Sequence, residues 1–176
     1  YVILGQSEAL WSFGFNISNI GTKVSYDGGN TNQFLPTKLS LGTGLLYPLD
    51  DYNQIALYVD LSKYLVPTAP IQTGSTAEEI EAYNQKYEEY NNMSPITGIF
   101  KSFSDSPNGF KGELEEIMAS IGLEYNYNEQ FFVRGGYYYE NKYQGNRQYF
   151  SVGAGFRMSV FQLDAAYLIS TVQSNP

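Results

Sequence analysis

Hydrophobic residues recur at every second position along most of this chain. A period of two is the pattern of β-strands, because successive side chains of a strand point to opposite faces of its sheet. The pattern predicts seven strands of about ten residues each, at about 9 to 19, 37 to 48, 54 to 63, 114 to 126, 131 to 140, 148 to 158 and 160 to 170. The chain is therefore predicted to be all-β.

The two faces of these predicted strands differ in chemistry. One face is apolar and aromatic and carries no charge; it includes Trp11, Phe13, Phe15, Leu41, Leu57, Ile121, Leu123, Val152 and Leu163. The opposite face is rich in Gly and Ser and carries the charges in the interior of the predicted strands, which are Asp60, Glu116, Glu124, Arg134, Glu140, Arg157 and Asp164. The strands therefore separate two environments, as they do both in a membrane barrel and in a soluble sandwich.

Three features favour a transmembrane antiparallel β-barrel over a soluble β-sandwich or adhesin. Gly and Ser on the polar face suit a crowded, curved barrel interior. Short connections near 50–53, 126–130 and 159 alternate with longer ones, as they do in outer-membrane barrels. Aromatic residues gather near the strand ends, where they would form girdles at the two surfaces of the bilayer. The soluble β protein stays as an alternative.

Seven strands do not close a barrel that must leave no free edge in lipid. We therefore expect residues 1–176 to be part of a single outer-membrane β-barrel domain whose other strands lie outside this sequence. The apolar face is predicted to contact the lipid bilayer. No run of about 18 apolar residues is present, so the sequence excludes a helical membrane protein.

Composition narrows the functional classes. The chain has a net charge of −8, which argues against a nucleic-acid partner, because a phosphate-binding face must be basic. It contains neither Cys nor His, and so cannot assemble thiol catalysis, the common catalytic triads or structural zinc sites. The carboxylates of the polar face are expected to pair with Arg134 and Arg157 rather than to work as catalytic acids and bases. We predict no enzymatic activity, cofactor or metal.

Residues 27–30 have the oxygen-bearing side chains of a calcium loop. They lack the length of such a loop and its distal Glu, so the sequence predicts a turn there.

Residues 64–113 interrupt the strand pattern and are predicted to be a long extracellular loop. A capping box at Ser75 to Glu78 predicts the start of an amphipathic helix near 76–91. A second apolar cluster follows at residues 96–103. We predict partner-binding residues on these two segments, namely Ile80, Tyr83, Tyr87, Tyr90, Ile99, Phe100 and Phe103.

The predicted helix has a second interpretation. Five Glu against one Lys make its polar face acidic. The helix could dock a partner protein, or it could cap the barrel mouth with its acidic face in water. The sequence leaves both interpretations open.

Five segments resemble PorV, an outer-membrane family of the type IX secretion system of the Bacteroidota. They are Phe13–Tyr26, Phe34–Leu39, Asp60–Thr68, Phe132–Glu140 and Leu163–Leu168. PorV belongs to a wider group of FadL-like barrels with fourteen strands. The resemblance implies that this chain is the later half of such a barrel without its last strand.

The resemblance also implies a function and a set of partners. The protein would bind secreted cargo proteins by their C-terminal signal domains at the type IX translocon barrel. It would then shuttle them to the surface attachment complex, without catalysis. The alternative within the same wider family is a FadL-like outer-membrane transporter of hydrophobic small molecules, which would need an apolar pocket inside the barrel.

Overall fold

A computed structural model of the chain describes residues 1–5, 7–25, 28 and 32–173. The predicted turn at 27–30 and the last residues, 174–176, lie outside these ranges except for Gly28. The chain divides into two compact units. We call them the sheet unit (1–16, 40–62 and 115–176) and the loop unit (17–39 and 63–114).

Within the described ranges the strands form one sheet of eight, in the order β1 to β8. The strands are β1 Val2–Leu4, β2 Ser7–Ser18, β3 Lys38–Pro48, β4 Asn53–Tyr64, β5 Met118–Tyr127, β6 Phe131–Tyr139, β7 Gln148–Met158 and β8 Phe161–Ser170. Strand β1 pairs with β2, and β4 through β8 pair in succession, in each case antiparallel. The all-β prediction is confirmed, and the sheet is not closed in this segment.

The seven predicted strands correspond to β2 through β8, and the short strand β1 was not predicted. The largest error is at β5, which was predicted to begin at 114 and begins at Met118. Glu116 and Ile117 therefore precede the strand, and Glu140 follows the end of β6 rather than lying inside it. Alternation of a few residues cannot tell a strand from the end of a helix that leads into it.

Tight turns join alternate strand ends. In the β3–β4 turn the carboxylate of Asp50 accepts hydrogen bonds of 2.8 Å from the backbone amides of Tyr52 and Asn53. The bond from the Tyr52 amide, with those from the side chain and the amide of Asn53, holds the pKa of Asp50 below its ordinary value. Two residues separate the paired Met158 and Phe161 in the β7–β8 turn, whose first residue, Ser159, has a positive φ of 52°. These turns set the antiparallel register.

The apolar face of the sheet is exposed. Phe13 is 73% exposed, Leu123 is 54% exposed and Leu163 is 61% exposed. In a soluble sandwich such residues would be covered by a second layer. In this sheet they form a broad uncharged surface that is exposed to the surroundings of the sheet unit.

Three helices lie in the part of the chain that the structure describes: α1 Ala77–Asn92, α2 Pro95–Lys101 and α3 Gly109–Glu115. The capping box was predicted one residue too early. The hydroxyl of Thr76, not of Ser75, accepts from the amide of Glu79, and the Glu79 carboxylate accepts from the amide of Thr76 at 3.0 Å. Helix α3 was not predicted. In the described residues no helix is both long and apolar enough to cross a membrane.

Candidate functional site

The loop unit is held together around the ring of Phe34. The ammonium nitrogen of Lys23 lies 4.1 Å from the centroid of that ring, and the ring of Tyr90 meets it edge-on at 5.2 Å. The same ammonium donates to the carbonyl oxygens of Tyr90 at 2.8 Å and Asn91 at 2.9 Å. These carbonyls belong to the last turn of α1, where a cation is favourable; the Tyr90 carbonyl also accepts from the amide of Met93.

Helix α2 packs through its smallest residue. Gly98 is buried, and a Cβ at this position would lie 2.7 Å from Cε1 of Phe34 and 3.1 Å from Cδ of Pro67. Ser102, at the end of the same helix face, is completely buried. Close approach of the α2 backbone to the Phe34 ring therefore depends on glycine.

A largely buried ion pair anchors α3. The ammonium of Lys63 lies 2.7 Å from the carboxylate of Glu113, and the side chains are 11% and 12% exposed. The amide of Ser106 donates to the other oxygen of Glu113 at 2.9 Å. Burial acts to raise the pKa of Glu113, but the hydrogen bonds from Lys63 and from backbone amides outweigh it and hold the pKa below its ordinary value.

The predicted partner-binding residues fall into two groups. Tyr83, Tyr87 and Tyr90 share one side of α1, where the rings of Tyr83 and Tyr87 are 5.9 Å apart. Tyr90 packs on Phe34, and burial raises its pKa. Its ring therefore holds α1 in place. Ile80 is 39% exposed at the other end of this stripe.

The second predicted group lies at α2. Phe100 and Phe103 are 72% and 50% exposed, and Ile99 is half-buried. Residues of α3 with similar exposure were missed: Phe110 is 78% exposed and Leu114 is 52% exposed. Their spacing of four residues is a helical signal, but the strand predicted at 114–126 includes Leu114.

A groove of about 610 Å³ runs along α1 in the loop unit. Tyr83, Lys86 and Tyr90 of α1 line it together with the segment 68–73 and residues near Asp105. One carboxylate oxygen of Asp105 accepts from the amide of Thr68 at 2.7 Å. The groove combines tyrosines, a residue type enriched at protein interfaces, with cationic and acidic side chains.

The polar face of the sheet carries a charged network. Arg134 of β6 donates to Glu124 of β5 and to Asp164 of β8, both at 2.5 Å. A Cβ at Gly155 would lie 3.1 Å from Nη1 of Arg134, so glycine leaves room for this cluster. The predicted pairing of the Arg134 side chain with carboxylates is confirmed. Arg157 instead donates to Gln162, at 3.2 Å.

Two more of the predicted polar-face carboxylates, Glu140 and Asp60, lie apart from this network's hydrogen bonds. Glu140 is fully buried and pairs with Arg147, at 2.7 Å, in the β6–β7 connection. Asp60 lines a cavity of about 500 Å³ on the polar face, together with Glu124, Arg134 and the stacked rings of Tyr138 and Tyr149. Among the residues that the structure describes, no group of three or more acidic side chains could hold a metal ion.

Residues 2–71 match a family model described as type IX secretion system protein PorV. The matched range runs from β1 through β4 and contains three of the five segments that carry the resemblance in the sequence. The comparison with curated proteins gives no match. The family match supports the resemblance to PorV of the type IX secretion system that the sequence indicated.

Proposed function

We propose that the chain is part of an outer-membrane β-barrel that receives secreted proteins by their C-terminal signal domains at the type IX translocon barrel. It then carries them to the surface attachment complex. The family match supports the secretion-system part of this proposal. The role consists of binding and transfer and involves no catalytic step.

The observation that carries the membrane part is the exposed, uncharged face of the sheet. Leu41, Leu57 and Leu123 lie on three different strands of this face and are 50%, 38% and 54% exposed. A contiguous apolar surface of this breadth is unfavourable in water. Hydrocarbon removes that cost, and the charged cluster around Arg134 lies on the opposite face.

We further propose that residues 65–110 supply the contact with the translocon or with cargo. This segment carries the α1 groove and every predicted partner-binding residue. Its internal contacts support the proposal, because Lys23, Phe34 and Pro67 hold α1 and α2 in defined positions. A surface that is already fixed by internal contacts loses less conformational entropy on binding than a flexible loop.

The test is affinity recovery of the translocon barrel and of a secreted substrate with the full-length protein, with and without residues 65–110. We expect deletion to reduce recovery of at least one of them. A finer variant replaces Tyr83 and Tyr87 by Ala, and Glu81→Ala on the exposed part of the same helix is its matched control. Unchanged recovery of both partners by the deletion protein would remove this segment from the mechanism.

The FadL-like transporter of hydrophobic small molecules is the rival proposal. The cavity on the polar face argues against it, since Asp60, Glu124 and Arg134 line it beside tyrosines. Fatty-acid binding to the purified full-length protein is the discriminating measurement. Saturable binding that is lost on introducing a bulky residue at Gly122 in this cavity would favour the transporter.

A further inference from the structure

Helices α2 and α3 have their small residues inside and their large apolar residues outside. Gly98 and Gly112 are the buried residues of these helices. The exposed side chains are Ile96 at 68%, Phe100 at 72%, Phe103 at 50%, Phe110 at 78% and Leu114 at 52%. An amphipathic helix on a water-facing surface has the opposite arrangement.

The charged side chains of α2, α3 and the segment between them are also divided between the inside and the outside of the loop unit. Asp105 and Glu113 turn into the loop unit, where Asp105 accepts from Thr68 and Glu113 accepts from Lys63 and Ser106. Lys101 and Lys111 are exposed, and each directly follows an exposed Phe; Lys101 also borders the α1 groove. Two cations therefore border the apolar side chains, while Asp105 and Glu113 are occupied inside and Glu115, at the end of α3, is half-buried.

We propose that this face, formed by Ile96, Phe100, Phe103, Phe110 and Leu114 with Lys101 and Lys111, lies in the interfacial layer of a bilayer with anionic headgroups. The aromatic and aliphatic side chains would enter the region between headgroups and acyl chains. The lysine stems would run along it, with their ammonium groups on the phosphates.

Chain continuity supports a lipid rather than a protein as the occupant. Only Glu116 and Ile117 separate the end of α3 from the start of β5. The three Cα–Cα steps from Glu115 to Met118 reach at most about 11 Å when fully extended. The inference thus rests on the proposed function, because β5 must cross hydrocarbon for α3 to be near its boundary.

The proposed face and α1 differ in the sign of their charge. Glu78, Glu79, Glu81, Glu88 and Glu89 with the single Lys86 make α1 net acidic, so anionic headgroups would repel it. Lys101 and Lys111 would attract the same headgroups. The same loop therefore contains a matched control for lipid contact.

Single spin labels test the proposal, since this chain contains no native Cys. The full-length protein would carry Phe100→Cys, Phe110→Cys or Glu81→Cys in vesicles of phosphatidylethanolamine and phosphatidylglycerol. The measurement is collision of each label with oxygen, which concentrates in lipid, and with a water-soluble nickel chelate. We expect the oxygen-to-nickel ratio at positions 100 and 110 to exceed that at 81 several-fold.

A charge-reversed pair, Lys101→Glu with Lys111→Glu, tests the headgroup contribution. The double variant should lower the oxygen-to-nickel ratio of the label at position 100 in phosphatidylglycerol vesicles and leave that ratio nearly unchanged in phosphatidylcholine vesicles. Labels at 100 and 110 that collide with nickel as freely as the label at 81 would overturn the proposal. So would exclusion of both reagents, which indicates burial against protein.

A label at Leu123→Cys distinguishes failure of the interfacial contact from failure of the membrane part of the proposed function. If Leu123 is in lipid while positions 100 and 110 are in water, only the interfacial contact is wrong. If Leu123 is also in water, the membrane part of the proposed function is wrong as well.

Discussion

Lys23 and Tyr90 are 67 residues apart in the chain and are joined by a hydrogen bond of 2.8 Å from the lysine ammonium to the tyrosine carbonyl oxygen. The bond ties the connection between β2 and β3 to the last turn of α1. Replacement of Lys23 by Met keeps the apolar stem and removes the donor. We expect the variant to lose about 1.5–3 kcal/mol of local stability, since hydrogen bonds that involve a charged group contribute about that much.

Hydrogen exchange of the α1 amides in the full-length protein measures this loss. Exchange near Tyr90 and Asn91 should accelerate most. Lys86→Met, on the exposed side of α1, is the matched control and should leave the rates unchanged. Equal exchange in the two variants would show that the Lys23 bond does not stabilise the helix end.

Gly98→Ala should destabilise the contact between α2 and Phe34. Alanine favours a helix by about 1 kcal/mol over glycine. Its methyl group, however, would lie 2.7 Å from the Phe34 ring, which Lys23 and Tyr90 hold in place. Overpacking costs about 1–3 kcal/mol, so we expect a small net loss.

Protease cleavage rates in the loop unit measure the effect of Gly98→Ala. Gly14→Ala is the control, since no atom lies within 4 Å of a Cβ at that position. A variant that resists cleavage better than the natural protein would mean that the Phe34 ring can move aside.

Lys63→Met should leave the buried carboxylate of Glu113 without its cation. Removal of one member of a buried ion pair costs about 3 kcal/mol or more, because the remaining charge stays desolvated. We expect faster hydrogen exchange across α3. The comparison variant is Lys111→Met, since Lys111 is exposed on the same helix. A similar response to both changes would argue against a special role for the Lys63–Glu113 pair.

The same carboxylate predicts a pH dependence. The pKa of Glu113 in the folded protein is held below the ordinary value of 4.5. A lowered pKa means that the ionised form stabilises the fold above pH 4.5, and that this contribution is lost as the pH falls through the lowered pKa. Resistance of residues 105–115 to pepsin should therefore fall across that range.

Glu113→Gln should be less resistant above pH 4.5 and should show a weaker pH dependence. Glu81→Gln, on the exposed part of α1, should retain the profile of the natural protein. A pH profile unchanged by Glu113→Gln would assign the acid sensitivity to another group.

The alternation of the strands predicts which residues a lipid-soluble reagent reaches. Leu123→Cys on the apolar face should react with a probe dissolved in the hydrocarbon, and Ser120→Cys on the polar face of the same strand should not. The sign of this difference follows from their positions on β5, where an odd spacing places them on opposite faces. Equal labelling of both cysteines would contradict the barrel.

The sequence alone was sufficient to predict the strands β2 through β8 and the helix α1. Strand alternation and helix capping are local properties, carried by residues within one or two turns of each other. For this reason β6 begins at Phe131 and β7 spans Gln148–Met158, as predicted. Errors arose where two local patterns overlap, as at Leu114, which fits both a strand alternation and a helical spacing with Phe110.

The candidate site was predictable only in part. Helical spacing was enough to group Tyr83, Tyr87 and Tyr90 on one stripe, but it could not show that Tyr90 packs against Phe34. It also could not show that the helices α2 and α3 turn Gly98 and Gly112 inward. Each of these facts depends on contact with residues far away in the chain or on which side of a helix packs against the rest of the loop unit.

By itself the sequence determined an all-β chain with one charge-free face. The reason is that neighbouring residues of a strand point to opposite faces, so the order of residues alone assigns each side chain to a face. Only the tertiary structure decided which charges meet. Arg134 joins strands on both of its sides, Glu140 pairs with Arg147, and Glu113 turns inward to Lys63. The physical reason is that a charge can be stabilised by any opposite charge within reach, and reach is decided by packing rather than by distance along the chain.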